Sequence, residues 1–256
     1  MPIFTCENPG ATYLIRTADV WAMRLSTGVD GFDELVDGGL LRDRLYILSG
    51  PPGSGKTTFS SHFVTEGARV GEKCLFLSMH ETEDELIHDM SAYDFGFEKA
   101  AQSGNFQFRN VFDSNAKRLL KGPGGNDFSS GVKNMTNRLV GFINSRDIDR
   151  LVIDSTMILQ YFYPDNHEAF VQFLTSLKRV DATTLLISEM TDPTSYADEH
   201  YLAHGVIFMH NYMEGDGMRR GVQIIKMRGT DIDSDIYPIE FDDDGLHVRP
   251  KRKVEA

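Results

Sequence analysis

One short glycine-rich stretch restricts the possible folds of this chain more than any other feature. It matches the pattern GxxxxGK[ST] in full and consists of Gly50, Pro51, Pro52, Gly53, Ser54, Gly55, Lys56 and Thr57. It lies between an apolar segment at 44–49 and a helical pattern at 56–70, the strand-to-helix context in which this motif forms a phosphate-binding loop. The sequence therefore predicts a fold in which a strand leads into the loop and a helix leads out of it.

The motif also predicts the chemistry of a site. Its glycines let successive backbone N–H groups point at phosphate oxygens, and the N-terminus of the following helix adds its positive end. Lys56 is predicted to reach the β- and γ-phosphates of a nucleotide, and the hydroxyl of Thr57 to bind Mg²⁺. With Thr58, which follows in the helix, these residues form the predicted binding site for a nucleoside triphosphate.

Apolar strands and amphipathic helices alternate along the chain. This pattern predicts an α/β fold with a mostly parallel central sheet flanked by helices. The predicted strands are 44–49, 73–79, 106–111, 150–154, 183–188, 205–211 and 222–228, and the predicted helices are 56–70, 83–93, 132–146 and 167–180. A C-terminal antiparallel ribbon is predicted at 236–248, with Asp244-Gly245 as its turn. We expect a single domain at 25–248, preceded by an arm at 1–24 and followed by a charged tail at 249–256.

Composition excludes several classes of protein. Of the 256 residues, 41% are hydrophobic, and no apolar run is long enough to cross a membrane. The N-terminus lacks the pattern of a secretory signal, and Cys6 and Cys74 form no disulfide framework, so we expect a cytoplasmic protein without a membrane partner. The net charge of −12 repels phosphate backbones, which weighs against nucleic-acid binding without excluding it.

Two further strands end in acidic residues. The strand 150–154 ends in Asp154, the kind of residue that holds the Mg²⁺ ion and its water shell in P-loop enzymes. About a hundred residues beyond the loop, in an α/β pattern, Asp154 is the predicted metal partner of Thr57. The strand 183–188 leads to Glu189, which is either a polar sensor at the same sheet edge or a capping residue.

Several motifs together resemble one family. The stretches 26–35 (STGVDGFDEL) and 38–40 (GGL), the P-loop, Asp154-Ser155 and the run 226–230 (KMRGT) look like a KaiC-like ATPase of the RecA superfamily. The resemblance covers about residues 24–248 and corresponds to a single KaiC domain. It implies a RecA-like P-loop fold, ATP and Mg²⁺ as cofactors, and a homo-oligomeric ring, expected to be a hexamer with ATP between its subunits.

The resemblance also implies roles for residues outside the P-loop. Lys226 and Arg228 would reach across the subunit interface to a neighbour's γ-phosphate, as an arginine finger supplied in trans does. Met227, Thr230 and Asp243 match positions that line the nucleotide in the family. The alternative for the two cations is that they are the solvated ends of an edge strand. Since they lie at i and i+2 in an acidic chain, the interface interpretation is favoured.

The chain departs from the family at two places. Where the family has two adjacent glutamates after the strand that follows the P-loop helix, this sequence has His80 and Glu81. An imidazole can accept a proton, but it lacks the charge of a carboxylate, so slow hydrolysis is expected. Glu81 is the other candidate base, although adjacent residues leaving a strand point to opposite sides. Glu199-His200 occupies the place of the Ser-Thr pair of the self-phosphorylating KaiC half, so autokinase activity is not expected.

Three functions remain open from the sequence. The first is a ring ATPase that couples ATP binding or slow hydrolysis to an unknown protein partner. The second is a DNA-dependent ATPase of the recombinase type, which the lack of Lys and Arg at 161–170 and 191–201 disfavours. The third is a scaffold that binds ATP, assembles and hydrolyses poorly, a hypothesis that rests on His80.

Overall fold

The strand that leads into the phosphate-binding motif lies in the middle of the main sheet. In this computed structural model the described residues are 24–111, 128–157 and 167–250, together with the backbone of 5–8 and 11–14. The strands are β1 (Thr5–Asn8), β2 (Ala11–Leu14), β3 (Arg24–Leu25), β4 (Leu40–Leu41), β5 (Leu45–Gly50), β6 (Cys74–Ser78), β7 (Phe106–Asn110), β8 (Arg150–Asp154), β9 (Thr183–Glu189), β10 (Gly205–Glu214), β11 (Gly217–Met227), β12 (Ile236–Asp242) and β13 (Gly245–Val248). The helices are α1 (Lys56–Arg69), α2 (Glu83–Met90), α3 (Phe97–Ala101), α4 (Phe128–Arg146), α5 (His167–Leu177) and α6 (Asp198–Leu202), with a 3-10 turn at Asp33–Val36.

Within the described ranges, nine of these strands form one sheet in the order β13-β12-β11-β10-β5-β9-β8-β6-β7. The six strands from β10 to β7 are mutually parallel, and β10 to β13 pair antiparallel. This arrangement confirms the predicted α/β fold with its mostly parallel sheet and C-terminal antiparallel ribbon. Because parallel strands end at a common edge, β5, β6, β8 and β9 bring the residues that follow them together.

The central strands are buried on both faces, and their side chains alternate between two cores. In β5, Tyr46 and Leu48 belong to a cluster with Phe59 and Phe63 of α1. Leu45 and Ile47 belong to a second cluster, whose helical members include Leu139 of α4 and Phe173 of α5. Since strand side chains alternate with period two, α1 covers one face of the sheet and α4 with α5 covers the other.

Strands β10 and β11 form a hairpin that is longer than the sequence predicted. The prediction stopped at 211 and started again at 222, whereas the pairing continues to Glu214 and Gly217. The register shifts once, because Val206 pairs with Lys226 while Ile207 pairs with Ile224. Ile225 is thus an extra residue, a β-bulge, and β11 ends at Met227 rather than at 228.

Other element bounds differ by a few residues. The ribbon turn lies at Asp243-Asp244, one residue before the predicted position, since Asp242 pairs with Gly245. The pairs β1–β2 and β3–β4 and the short helices α3 and α6 were not predicted, because they are too short to show periodicity. The paired strands β1 and β2 lie within the predicted N-terminal arm, and the rest of 1–23 and the tail at 251–256 lie outside the described residues. No helix in the described ranges is both long and apolar enough to span a membrane.

Candidate functional site

A cavity of about 510 Å³ opens at the edge where β5, β6, β8 and β9 end. Nine of the residues predicted from the sequence line it, namely Pro52, Gly53, Gly55, Lys56, Thr57, Thr58, His80, Glu81 and Asp154. Glu189, at the end of β9, lines the same cavity. The structure therefore brings together residues that are more than a hundred positions apart in the chain.

The glycines of the P-loop are required by their surroundings as well as by their backbone angles. Gly50 has φ +151°, and a Cβ there would lie 2.3 Å from the carbonyl oxygen of Met209. Gly55 has φ +102°, and a Cβ there would lie 2.7 Å from Cζ of Phe241. Any larger residue at either position would push the loop away from β10 or β12.

Lys56 is the charged residue of the loop, and only 7% of it is exposed. Its ammonium group donates to the carbonyl oxygens of Gly50 at 2.8 Å and Pro51 at 3.1 Å. A carboxylate oxygen of Glu189 lies 3.5 Å from the same nitrogen. These contacts hold the ammonium at the mouth of the loop, where α1 begins and its free N–H groups face the cavity.

Ser54 carries an unused polar group inside the loop. Its hydroxyl is fully buried and has no hydrogen-bond partner among the described residues. A buried hydroxyl without a partner is costly unless a ligand completes it. A phosphate oxygen in the cradle of the loop would accept this hydrogen bond, so the loop fits a phosphate chain.

Thr57 and Asp154 present oxygen ligands of the kind that Mg²⁺ prefers. The Thr57 hydroxyl lies 3.4 Å from Oδ2 of Asp154. Burial raises the pKa of Asp154, against the lowering effects of His80 and Lys56, and a bound cation would favour the ionised form. Within the described ranges no group of three His, Cys, Asp or Glu side chains could hold a metal by itself. A site with two protein oxygen ligands, Thr57 and Asp154, fits Mg²⁺, which takes most of its ligands from water and substrate phosphates.

His80 and Glu81 both line the cavity, so the expectation that they point to opposite sides was wrong. The reason is that β6 ends at Ser78, before either residue. The hydroxyl of Ser78 accepts the backbone N–H groups of His80 at 3.2 Å and of Glu81 at 3.1 Å, which turns the chain. The side chain of Asn110 donates to the Glu81 carbonyl at 2.8 Å and fixes the turn from β7.

The carboxyl group of Glu81 has an unusual proton affinity. Burial raises its pKa to about 7, and the negative charges of Asp154, Asp89 and Glu85 add to the rise. A carboxylate with a pKa near neutrality has a high affinity for a proton and is still partly ionised at neutral pH, as a general base must be. Such a value next to a P-loop marks Glu81 as a candidate general base.

Three residues that the sequence did not single out complete the cavity. Tyr93 and Phe241 line it with their rings 6.3 Å apart, and the Arg220 guanidinium lies 5.0 Å from the Phe241 ring. Arg220 also donates to the Gly53 carbonyl at 2.8 Å, and its pairing partner Asn211 donates to the Pro52 carbonyl at 3.2 Å. The turn residues at 214–217 (EGDG) are a hairpin signal that would have placed Asn211 opposite Arg220.

The segment 226–230 lies away from this cavity, and none of its residues lines it. Lys226 pairs with Val206 of β10, and Val206 pairs with Ile47 of β5. Ile47 lies three residues before Gly50, so Lys226 is displaced from the start of the P-loop by about 10 Å along the strand direction. Its ammonium donates to the carbonyl oxygens of His200 at 3.0 Å and Tyr201 at 2.9 Å. Lys226 therefore has a structural role within its own subunit, which the sequence did not reveal.

The other residues implied by the resemblance are also outside the cavity. The Thr230 hydroxyl accepts from the Arg24 guanidinium at 3.2 Å, and the Arg228 carbonyl accepts from Arg44 at 2.8 Å. Arg228 follows β11 in a turn, and its side chain is exposed, so the expectation that it shares a strand face with Lys226 was wrong. Met227 is buried in the core, and Asp243 is exposed in the ribbon turn. The segment 161–170 lies largely outside the described residues, which resume at 167.

Comparison with known proteins agrees with this arrangement. A family model described as "ATPase: KaiC" matches residues 25–253. The circadian clock oscillator protein KaiC of Parathermosynechococcus lividus is 27% identical over 234 residues, which are 88% of this chain and 42% of that protein. The KaiC of Synechococcus elongatus is 26% identical over 236 residues, covering 89% of this chain and 44% of that protein.

A solved structure is similar over a comparable range. The crystal structure of a KaiC-like protein from the hyperthermophilic archaeon Pyrococcus horikoshii superposes with a TM-score of 0.74 at 28% identity. The match covers 89% of this chain and 99% of that one. This chain thus spans less than half of each clock protein but nearly all of the archaeal chain.

Proposed function

The chain belongs to the KaiC family of ATPases, and from that premise we propose that it binds ATP with Mg²⁺ in this cavity and hydrolyses it slowly. The observation that carries the proposal is the convergence of Lys56, Thr57, Asp154 and Glu81 on one cavity. Phosphoryl transfer to water needs all of them: Lys56 supplies a cation, Thr57 and Asp154 supply oxygen ligands for a metal, and Glu81 supplies a proton acceptor.

In the proposed complex the P-loop surrounds the phosphates. Lys56 exchanges its contact with Glu189 for phosphate oxygens while the Gly50 carbonyl continues to orient it, and Ser54 donates its free hydroxyl. Thr57 and Asp154 hold Mg²⁺, which supplies charge neutralisation at the phosphates. Tyr93, Phe241 and Arg220 provide flat apolar and cationic surfaces, which suit the stacking of a purine base.

Glu81 is the proposed general base, and His80 is a weaker acceptor beside it. The pKa of Glu81, raised to about 7 by burial and by Asp154, Asp89 and Glu85, gives it affinity for the proton of the attacking water. Half-ionisation at neutral pH lowers the rate by only about twofold, so it does not by itself make hydrolysis slow. Slow hydrolysis is expected because His80 stands where the family has its first glutamate and lacks the charge of a carboxylate.

Assembly into a ring, with a hexamer as the expected size, forms the second part of the proposal. In such a ring Arg228 would act on the nucleotide of the adjacent subunit. The support is its position, because Arg228 lies outside the cavity of its own subunit and is exposed. The ammonium of Lys226 is bonded within its own subunit to the carbonyl oxygens of His200 and Tyr201, so Lys226 has no part in this proposed contact. The ring would transmit the ATP state to a protein partner, since the acidic charge and the absence of Lys and Arg at 191–201 disfavour DNA.

Phosphate release measured with and without single-stranded DNA tests this function. The proposal expects slow, Mg²⁺-dependent release that DNA does not change. Stimulation by DNA would favour a recombinase. Tight ATP binding without release above the background of Lys56→Ala would favour a scaffold that does not turn over. No ATP binding by calorimetry would overturn the assignment of the cavity.

A further inference from the structure

The short helix α6 places two buried polar side chains directly behind the nucleotide site. Glu199 is 7% exposed and His200 is 4% exposed, although neither belongs to the P-loop or lines the cavity. Buried polar groups are costly unless they are paired, so their partners indicate what the helix does.

Those partners are two serines that face each other across β5 and β9. Ser49 of β5 pairs with Ser188 of β9 in the sheet register. The imidazole Nε2 of His200 lies 2.9 Å from the Ser49 hydroxyl, and the Ser188 hydroxyl donates to Oε1 of Glu199 at 2.9 Å. Helix α6 therefore holds both strands at the same level.

The next residue along each strand contacts the P-loop lysine. Gly50 follows Ser49 and accepts from the ammonium of Lys56 at 2.8 Å, and Glu189 follows Ser188 and lies 3.5 Å from it. Ser49 and Ser188, which are hydrogen-bonded to α6, thus directly precede Gly50 and Glu189, which contact Lys56. A displacement of Ser49 would move the Gly50 carbonyl that holds the ammonium. Release of Ser188 would let the Glu189 carboxylate move closer to the ammonium and compete more strongly with ATP for it.

Both ring nitrogens of His200 are engaged. Nδ1 lies 3.0 Å from the backbone nitrogen of Ala197 and 3.3 Å from its carbonyl oxygen, while Nε2 lies 2.9 Å from the Ser49 hydroxyl. The imidazole closes the first turn of α6 and bonds β5 at the same time, so the helix position and the strand position are coupled.

Lys226 holds α6 from its other side. Its ammonium donates to the carbonyl oxygens of His200 and Tyr201, which lie at the C-terminal half of the helix. Helix α6 is consequently fixed between β11, which carries Lys226, and the strand ends behind the P-loop. We propose that His200 and Glu199 are positioning residues for Lys56, and that α6 links Lys226 to the affinity of the P-loop for ATP.

This inference rests on the proposed function, since it concerns the affinity for ATP. The primary test is calorimetric titration of Mg²⁺-ATP into His200→Ala, with His204→Ala as the control. His204 is matched because its Nδ1 accepts the N–H of Leu45, so it bonds the opposite end of the same strand. We expect His200→Ala to weaken ATP binding about fivefold or more, within the usual range of coupling between sites, and His204→Ala to leave it unchanged.

Two further variants separate positioning from simple loss of stability. His200→Gln keeps a side-chain amide that can hydrogen-bond the Ser49 hydroxyl, and it should restore part of the affinity. Ser49→Ala combined with Ser188→Ala removes both hydrogen bonds to α6 with little change in volume. Titrated well below its melting temperature, this variant should bind ATP more weakly than His204→Ala does. Unchanged affinity in the double serine variant would overturn the inference.

The outcomes distinguish the inference from the function beneath it. If Lys56→Ala abolishes binding while His200→Ala and the serine variant bind as the unmodified protein does, the ATP site stands and the inference fails. If the unmodified protein does not bind ATP, the proposed function fails first. Equal loss of affinity in His200→Ala and His204→Ala would show a general effect of strand stability, which also contradicts the inference.

Discussion

The ammonium of Lys56, the first residue of α1, lies 3.5 Å from a carboxylate oxygen of Glu189, the last residue of β9. The lysine is almost fully buried, whereas the Glu189 side chain is 44% exposed. A bound triphosphate would compete with this carboxylate for the same cation and would also be repelled by it. Glu189 is therefore expected to lower the affinity of the site for ATP.

Replacement of Glu189 by glutamine should tighten ATP binding by a few-fold. The effect is modest because water screens a half-exposed carboxylate. The comparison is calorimetric titration of Glu189→Gln against Glu240→Gln, whose side chain is 45% exposed and pairs with Arg249 in the C-terminal ribbon. Weaker binding in Glu189→Gln would show that the carboxylate orients Lys56 productively instead of competing for it.

The two residues after β6 can be separated by substitution. Glu81→Gln should remove most of the residual ATP hydrolysis, because it removes the proposed proton acceptor, while ATP still binds. His80→Glu should accelerate hydrolysis, since general-base effects are worth about 10²–10⁴-fold and even partial recovery is measurable. Phosphate release in single turnover is the measurement. Fast release in the unmodified protein, insensitive to both substitutions, would place water activation elsewhere.

The rate of hydrolysis should rise with pH through about 7. Glu81 must be ionised to accept a proton, and burial together with Asp154, Asp89 and Glu85 raises its pKa to about 7 in the free enzyme. The profile of kcat/KM against pH reports this ionisation. His80→Gln should keep the rise, and Glu81→Gln should abolish it. A flat profile in the unmodified protein would contradict the assignment of Glu81 as base.

Acid should destabilise the fold through His62. Burial lowers the pKa of His62 to about 4 from the ordinary 6.5, against the bond to the Gly28 carbonyl, so the folded state disfavours the charged form. Stability is then complete above about pH 6.5 and is lost as the pH falls toward 4, by about 3 kcal/mol at about 1.4 kcal/mol per pKa unit. Melting temperatures of His62→Gln should depend less on pH over this window, and those of the exposed control His88→Gln should follow the unmodified protein.

A mixing experiment tests the contribution of one subunit to the site of the next. Lys56→Ala protein should lack a working P-loop but retain Arg228, and Arg228→Ala protein should have the opposite defect. If Arg228 acts in trans, mixed rings should hydrolyse ATP faster than either variant alone. Light scattering with ATP and Mg²⁺ checks that mixed assemblies form. Assemblies without recovered activity would assign Arg228 to a role within its own subunit.

The P-loop motif and the apolar pattern of the strands were enough to predict the part of the site that lies directly after β5 and β8. The P-loop follows β5 directly, and the strand that ends in Asp154 has an unbroken apolar pattern. The sequence therefore placed Lys56, Thr57 and Asp154 correctly at one sheet edge, because parallel strands end there together.

Residues that reach the cavity through pairing or through turns were beyond the sequence. Arg220 arrives there because β11 pairs with β10 over a longer stretch than its apolar residues indicate, and Phe241 arrives from β12. The sides taken by His80 and Glu81 depend on where β6 ends, which a single serine hydroxyl decides. Lys226 donates to backbone carbonyl oxygens of a five-residue helix. Neither so short a helix nor a contact with its backbone can be predicted from a pattern of side chains.

The bulge at Ile225 assigns the two ends of β11 to different faces of the sheet. Arg220 and Lys226 are an even number of residues apart, so a regular strand would direct both to the same side. The extra residue turns Lys226 to the face of its partner Val206, while Ile224 keeps the face of Ile207 and of α1. Without the bulge, Lys226 would face the side of Arg220 and Ile224 and could not reach the α6 carbonyl oxygens while Arg220 stayed at its own P-loop. The single bulge thus allows two residues an even number apart in one strand to contact the phosphate-binding loop on one face of the sheet and α6 on the other.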